Sequence, residues 1–169
     1  MQTTVCTNQP VLKIGSTGSA VVELQKLLTQ RVPVVDELEV DGIFGAVTEL
    51  SVKVFQFCVF LEDDGIVGSL TWLALQLGQR PDLPVLHQGS QGIDVIRVQN
   101  ILKFNTFTKE YMGFDGYDFG SIDGIFGAKT EEAVKAFQYD RGLLVDGVIA
   151  SKTWKELMKL ASIISHIAL

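Results

Sequence analysis

The sequence is poor in the residues from which most catalytic and metal sites are built. Its 169 residues include two histidines and two cysteines. A zinc site needs several such ligands close together, and neither histidine lies in a His-Glu-x-x-His pattern or beside a motif that would activate a serine. This scarcity argues against a metalloenzyme and a serine or cysteine hydrolase. We therefore predict no catalytic residue, no metal site and no cofactor.

Long apolar runs and excess positive charge are missing as well. No apolar run approaches the ~20 residues of a membrane-spanning helix. The formal net charge is -6, and an acidic chain does not attract nucleic acid through its mean field. We expect neither a membrane span nor a nucleic-acid partner. The first ten residues also lack the basic and apolar segments of a signal peptide.

What the chain does contain is one pattern written twice. Residues 11–18 recur as residues 85–92, and Asp41-Gly42-Ile43-Phe44-Gly45 recurs identically at residues 123–127. A second Asp-Gly pair follows at the same distance in each copy, at Asp64 and Asp146. Repeated identities in one order indicate a tandem duplication. We assign copy one to residues 11–77, a Pro/Gly linker to 78–84 and copy two to 85–160.

Three segments of each copy have helical periodicity, so the predicted fold class is all-α, with two tandem three-helix bundles. Apolar residues make up 47% of the chain, which is enough for a core in each bundle. The apolar face of the first helix is predicted from Val21, Leu24, Leu27 and Leu28. That of the second is predicted from Val47, Leu50, Val54 and Phe57, with Phe55 beside them. The third helix carries Trp72 or Trp154 as a core anchor.

The repeated polar residues allow structural and ligand-binding interpretations. Each Asp-Gly pair is first a turn, because Asp accepts bonds from nearby amides and Gly adopts positive φ. Gln56 and Gln138 each follow a predicted core phenylalanine. Such a glutamine either bonds the neighbouring Asp-Gly loop or binds a ligand amide, since it both donates and accepts. At the third helix of copy two, either Ser151 or a capping box of Thr153 and Glu156 is expected to cap the N-terminus.

The whole pattern resembles a known family. The chain reads Leu-x-x-Gly-Ser-x-Gly, then Asp-Gly-x-Phe-Gly-x-x-Thr, then Phe-Gln, then Asp-Gly, and then Thr-Trp, in this order in both copies. This order is similar to the three-helix peptidoglycan-binding domain found beside amidases, muramidases and D-Ala-D-Ala carboxypeptidases of bacteria. The resemblance implies a compact bundle that recognises peptidoglycan or muropeptides, through their peptide stems, in a shallow groove.

Candidate ligand contacts follow from the repeated turns and from one aromatic segment. Copy two has an eight-residue insertion within residues 103–121 that is rich in aromatic side chains. These side chains either stack on a ligand or cover the core of the module. The candidate ligand-binding residues are Asp41, Gly42, Phe44, Gln56, Asp64, Asp123, Gly124, Phe126, Gln138, Asp146, Tyr111 and Tyr117.

The resulting prediction is a non-catalytic cell-wall binding protein with two modules that add avidity. Two alternatives remain. The chain is either a protein-interaction or regulatory module that has kept the fold without binding the wall, or the targeting part of a separate wall hydrolase, which would then be its partner. The location follows from export: the periplasm or cell wall if a signal peptide has been trimmed, and otherwise the cytoplasm.

Overall fold

A computed structural model describes residues 9–32, 37–111 and 120–168 of the chain. Within these ranges the elements are α1 (Ser19–Arg31), α2 (Ala46–Cys58), α3 (Ser69–Leu77), α4 (Ile93–Tyr111), α5 (Ala128–Asp140) and α6 (Ser151–Ala168). The chain divides into two compact units, Met1–Asp82 and Leu83–Leu169. We refer to them as module one and module two. Three helices in each unit confirm the predicted all-α class and its tandem three-helix bundles.

In each module the first helix is the central element of the bundle. Helix α1 contacts α2 and α3, and α4 contacts α5 and α6. The inward face of α1 is formed by Val21, Leu24 and Leu28, which are fully buried as the spacing predicts, whereas Leu27 is half-buried. Trp72 and Trp154 are core residues, and each indole N–H donates to the carbonyl of a proline nine residues before the module's first helix, Pro10 or Pro84. Burial of these rings is a large share of the stability of such small cores.

The predicted face of α2 was only partly right. Val54 and Phe55 are buried as predicted, whereas Leu50 is 42% exposed, and Val47 and Phe57 are only half-buried. The buried side of α2 also carries Val52 and Gln56, which were not assigned to it. The polar residue Gln56 therefore faces inward, although the apolar pattern did not place it on the buried side. Its hydrogen bonds, described below, explain how it is accommodated there.

An extended segment before each first helix closes one end of its module. In module one, Leu12 exchanges two backbone hydrogen bonds with Val67, with N···O distances of 3.1 and 2.8 Å. Further along, Gly15 N–H donates to Phe44 O at 2.9 Å, and Phe44 N–H donates to Ser16 O at 2.9 Å. The same bonds recur between Leu86 and Ile149 and between residues 89–90 and Phe126. The segment thus ties the two Asp-Gly loops of each module into one surface.

The first and third helices of module two are longer than their counterparts in module one. Helix α4 runs to Tyr111, although its counterpart α1 ends at Arg31. Helix α6 continues beyond residue 160, where the predicted copy two ends, to Ala168, and it buries Ala161 and Ile164. Tyr117 of the predicted aromatic insertion lies outside the described residues, and Tyr111 is described only as the last residue of α4, without its side chain. Across the described part of the chain, no helix has the length and hydropathy required to cross a membrane.

Candidate functional site

The first Asp-Gly loop of module one is built around a buried glutamine of α1. Gln25 is 1% exposed. Its Nε2 donates to Asp41 Oδ1 at 2.8 Å, to the Ile43 carbonyl at 3.1 Å and to Thr48 Oγ1 at 3.2 Å. Its Oε1 accepts the Gly42 N–H at 2.9 Å. We name this arrangement the glutamine clamp: one amide that holds an Asp-Gly turn and the threonine of the following helix.

The glutamine clamp occurs four times among the described residues. In module one a second clamp is centred on Gln56, and in module two the clamps are centred on Gln99 and Gln138. In each, Oε1 accepts the N–H of the loop glycine at 2.9 to 3.0 Å. The threonine stands seven residues after the aspartate each time, and these threonines are Thr48, Thr71, Thr130 and Thr153. Each of the two connections between consecutive helices in a module is therefore held by one clamp with the same hydrogen bonds.

The clamp solves the problem of a polar loop that turns into the core. A buried amide or carbonyl without a partner costs about 1–3 kcal/mol, and each turn contributes an N–H and a carbonyl to the buried side. The glutamine amide satisfies both, because it is a donor at one atom and an acceptor at the other. The loop glycine has φ near +75° in all four turns, a region that other residues adopt with strain. The turns are thus specified by Gln, Asp, Gly and Thr together.

The clamp also changes the acidity of three of its aspartates. The Gln25 amide, followed by the Ile43 N–H, lowers the pKa of Asp41 below its usual value. At Asp123 and Asp146 the backbone N–H two residues further on is the largest cause of the lowered pKa, and Gln99 or Gln138 comes second. Hydrogen bonds donated to a carboxylate favour its ionised form. These three aspartates are exposed at their outer side and remain charged at neutral pH.

The structure places the residues predicted for ligand binding in two settings. Buried positions are occupied by Gly42, Phe44, Gln56, Gly124, Phe126 and Gln138. These residues belong to the core or to the clamps, so the loop-bonding alternative for the two glutamines is the one observed. Asp41, Asp64, Asp123 and Asp146 are exposed, although one oxygen of each accepts bonds from its own loop. Of the predicted contacts, the four aspartates are thus exposed and the two glutamines are buried.

The sequence analysis did not identify the two glutamines of the first helices or the threonines as parts of the clamps. Gln25 and Gln99 match between the copies, and a threonine follows each aspartate at the same distance, but neither was predicted to act with the turns. Thr153 was expected to be a possible capping residue, whereas its hydroxyl donates to the Val148 carbonyl and accepts from Gln138. The signal available was the constant seven-residue spacing from Asp to Thr, together with a glutamine that recurs in the helix before each Asp-Gly pair.

Each module has an equivalent surface around its clamps, which we name the loop face of that module. It consists of residues 11–18, 41–45 and 64–68 in module one, and of residues 85–92, 123–127 and 146–150 in module two. Two apolar side chains are exposed on it at matching positions: Val11 and Val85, at 65% and 59%, and Ile43 and Ile125, at 55% and 49%. Because each apolar residue stands beside an exposed aspartate or backbone turn, the loop face offers apolar and polar contacts together.

The two histidines occupy separate places. His87 lies in the extended segment of module two and His166 near the end of α6, both exposed, and the Nδ1 of each is 2.9 Å from a nearby backbone carbonyl. Residues 9–32, 37–111 and 120–168 contain no group of three side chains positioned to hold a metal ion.

A protein-family model described as "Putative peptidoglycan binding domain" matches the chain twice, over residues 17–75 and 91–157. The two matches cover most of the chain. They contain all four glutamine clamps and the greater part of both loop faces.

Characterised relatives are longer proteins. A spore cortex-lytic enzyme of Bacillus cereus is 32% identical over 106 residues, which are 63% of this chain and 37% of that enzyme. The N-acetylmuramoyl-L-alanine amidase CwlM of Mycobacterium tuberculosis is 30% identical over 91% of this chain and 39% of its own length. The amidase CwlL of Bacillus licheniformis is 30% identical over 89% of this chain and 46% of its own. The chain thus spans less than half of each of these relatives.

Two solved structures were also similar over parts of the chain. The SleB N-terminal domain is 37% identical, with a TM-score of 0.39, and the similarity covers 46% of this chain and 93% of that one. A peptidoglycan-binding protein from Clostridioides difficile, solved in complex with glutamine hydroxamate, is 35% identical, with a TM-score of 0.37. That similarity covers 46% of this chain and 42% of the other.

Proposed function

Since the chain belongs to the peptidoglycan-binding domain family, we propose that it binds peptidoglycan without cleaving it, and that both modules contact the peptide stems through their loop faces. The observation that carries this proposal is that the family match and the loop face occur in both modules. Such a ligand places the working protein at the bacterial cell wall.

The loop face suits a peptide better than it suits a bare sugar. Ile43 and Ile125 are exposed apolar residues, and each stands two residues after an exposed aspartate of the same turn, Asp41 or Asp123. Peptide stems combine small apolar side chains with amides and charged groups, so they can use both kinds of contact. Binding sites commonly join an apolar surface to a few placed polar groups in this way.

The proposal of binding without catalysis is supported by the way in which the repeated polar residues are used. The four glutamines and four threonines that mark the family pattern hold the turns from inside. Their hydrogen bonds are made with the backbone and side chains of the protein's own turns. Incubation with purified peptidoglycan should therefore release no reducing sugar or free amine above the buffer control, and release of either would overturn this part of the proposal.

The direct test of binding is co-sedimentation with purified insoluble peptidoglycan. The wild-type chain should pellet, and the double variant Ile43→Asn, Ile125→Asn should stay in the supernatant. A matched control is Leu77→Asn, Ile163→Asn, because these residues are 50% exposed, one in each module and off the loop face. Equal pelleting of both double variants would contradict the loop-face assignment, and failure of the wild type to pellet would contradict wall binding.

The relatives suggest a second role for the same binding activity. Their names describe wall hydrolases, and each is more than twice as long as the part that matches. We infer that two such modules can serve as the targeting part of a hydrolase. Fusion of the chain to an amidase catalytic domain should then speed the cleavage of insoluble peptidoglycan and leave the cleavage of soluble muropeptides unchanged. Equal effects on both substrates would refute targeting.

A further inference from the structure

The outward side of the third helix differs between the modules in a regular way. In α3 this side is formed by Leu70, Leu73 and Leu77, and the matching residues of α6 are Lys152, Lys155 and Lys159. Leu70 and Leu77 are 40% and 50% exposed, and all three lysines are exposed. The inward positions hardly change, since Thr71-Trp72 matches Thr153-Trp154 and Leu75 matches Leu157. The exchange is therefore confined to the surface. We name the three lysines the lysine stripe.

The lysine stripe forms one line along α6. Spacings of three and four residues put neighbouring lysines on the same side of a helix, with Cβ atoms about 5–6 Å apart. The seven-residue span is about 10 Å long at 1.5 Å per residue. The line begins two residues after Ala150, where the loop face of module two ends. A chain that lies on this loop face can thus continue along the stripe.

The charges of the stripe are poorly compensated within the protein. Lys159 pairs with Glu156 at 2.6 Å, but Lys152 and Lys155 make no ion pair with any residue in the described ranges. Lys152 also lies in the first turn of α6, which contains no acidic residue. A cation at that end opposes the helix dipole, and like charges one turn apart repel each other. An external anion would remove both costs.

We propose that the lysine stripe binds the carboxylates of peptidoglycan stems, so that module two recognises acidic stems and module one does not. The inference rests on the proposed function, because a stem attached to the glycan at its amino end has a carboxylate at its free end. Lysine suits this ligand, since an ammonium group is a compact charge on a flexible stem that needs no fixed bidentate geometry. The leucine side of α3 offers no such charge.

The test compares two full-length variants that lose the same charge. Lys152→Gln, Lys155→Gln removes the two unpaired lysines of the stripe, and Lys26→Gln, Lys103→Gln removes two exposed lysines of α1 and α4. The probe is insoluble peptidoglycan stripped of phosphate-containing polymers. At low salt the stripe variant should bind roughly three- to tenfold more weakly than the wild type, as expected for two exposed ion pairs. The control should bind within about twofold of the wild type, since it removes no proposed ligand contact.

Salt and chemical modification separate the outcomes. The difference between stripe variant and wild type should vanish at about 1 M salt, where the screening length is about 3 Å, and on peptidoglycan whose carboxylates have been amidated. The variant Leu70→Lys, Leu73→Lys should gain salt-sensitive affinity. Wild-type affinity in the stripe variant at low salt would overturn this inference alone. A defect seen only on walls that retain phosphate polymers would reassign the stripe to phosphodiesters. If the wild type does not pellet at all, the proposed function fails with it.

Discussion

The two modules have the same buried hydrogen bonds but different charged residues. Both contain two glutamine clamps with the same partners, and the matching hydrogen-bond distances differ by no more than about 0.3 Å. Their charged residues differ in number: residues 1–82 contain five basic and ten acidic residues, and residues 83–169 contain nine basic and ten acidic residues. Buried hydrogen bonds tolerate few substitutions because a lost partner leaves a desolvated polar group. Exposed positions tolerate many, so one scaffold can present two binding surfaces.

The largest expected effect is the loss of a clamp. In Gln138→Leu, the Gly147 N–H loses its buried acceptor, and the Val148 carbonyl keeps only the Thr153 hydroxyl as a side-chain donor. We expect a loss of roughly 3 kcal/mol in the free energy of unfolding of module two. Gln56→Leu should cost module one a similar amount, because its bonds are the same. Hydrogen exchange of the Gly147 and Gly65 amides measures each effect at the clamp itself.

Gln30→Leu is the control for both clamp variants, because Gln30 is an exposed glutamine of α1. It should leave both exchange rates as they are in the wild type. If Gln138→Leu left Gly147 exchange unchanged, or if Gln56→Leu were harmless while Gln138→Leu was not, the modules would not share one internal architecture.

A smaller effect is expected at the glycine of a turn. Gly124 has φ +73°, and a Cβ there would lie 2.9 Å from Ile96 Cγ1. Gly124→Ala should therefore lower the stability of module two by about 1–2 kcal/mol. The neighbouring Gly127 has φ −88° and open space where a Cβ would lie, so Gly127→Ala should be nearly neutral. Urea unfolding of both variants checks this, and equal costs would show that the turn does not depend on its left-handed residue.

The smallest effect is a dependence of stability on acid. The pKa values of Asp123 and Asp146 are lowered in the folded module. A lowered folded-state pKa stabilises the protein at neutral pH, and this contribution is lost as the pH falls below about 4 through the folded-state value. Module two should thus become less stable between pH 7 and about pH 3.

The variant Asp123→Asn, Asp146→Asn isolates this contribution. Its amide oxygens can still accept the bonds that Gln99, Gln138 and the two backbone N–H groups donate, but the side chains do not titrate. The drop in the urea midpoint on acidification should be smaller than in the wild type. An equal drop would show that other carboxylates cause it.

The sequence was sufficient for the duplication, the helices and the core aromatics, because these depend on identities and periodicity. Both tryptophans are buried as predicted. It was insufficient for the register of α2, where Gln56 occupies an inward position and Leu50 an outward one. An apolar pattern assumes that polar residues face water, whereas here the inward glutamine is satisfied by a loop that is adjacent in space but eight residues away in the chain.

The candidate site was predictable only in part for the same reason. The family pattern located the Asp-Gly turns but not which of their atoms remain available. The clamp bonds show that Gln56 and Gln138 act inward, and the exposed Ile43 and Ile125, which pattern reasoning had not selected, become the main contact residues of the proposal. Exposure depends on how three separate segments pair at one end of a module, and no single segment encodes that.

The central claim is that both modules bind peptidoglycan, each through its loop face. The most direct measurement is the dissociation constant of the full chain on insoluble peptidoglycan for the wild type, Ile43→Asn, Ile125→Asn and the double variant. Each single variant should weaken binding by about tenfold or more, since one site alone lacks the avidity of two, and the double variant should not bind. A double variant that binds like the wild type, or a single variant without any effect, would contradict the claim.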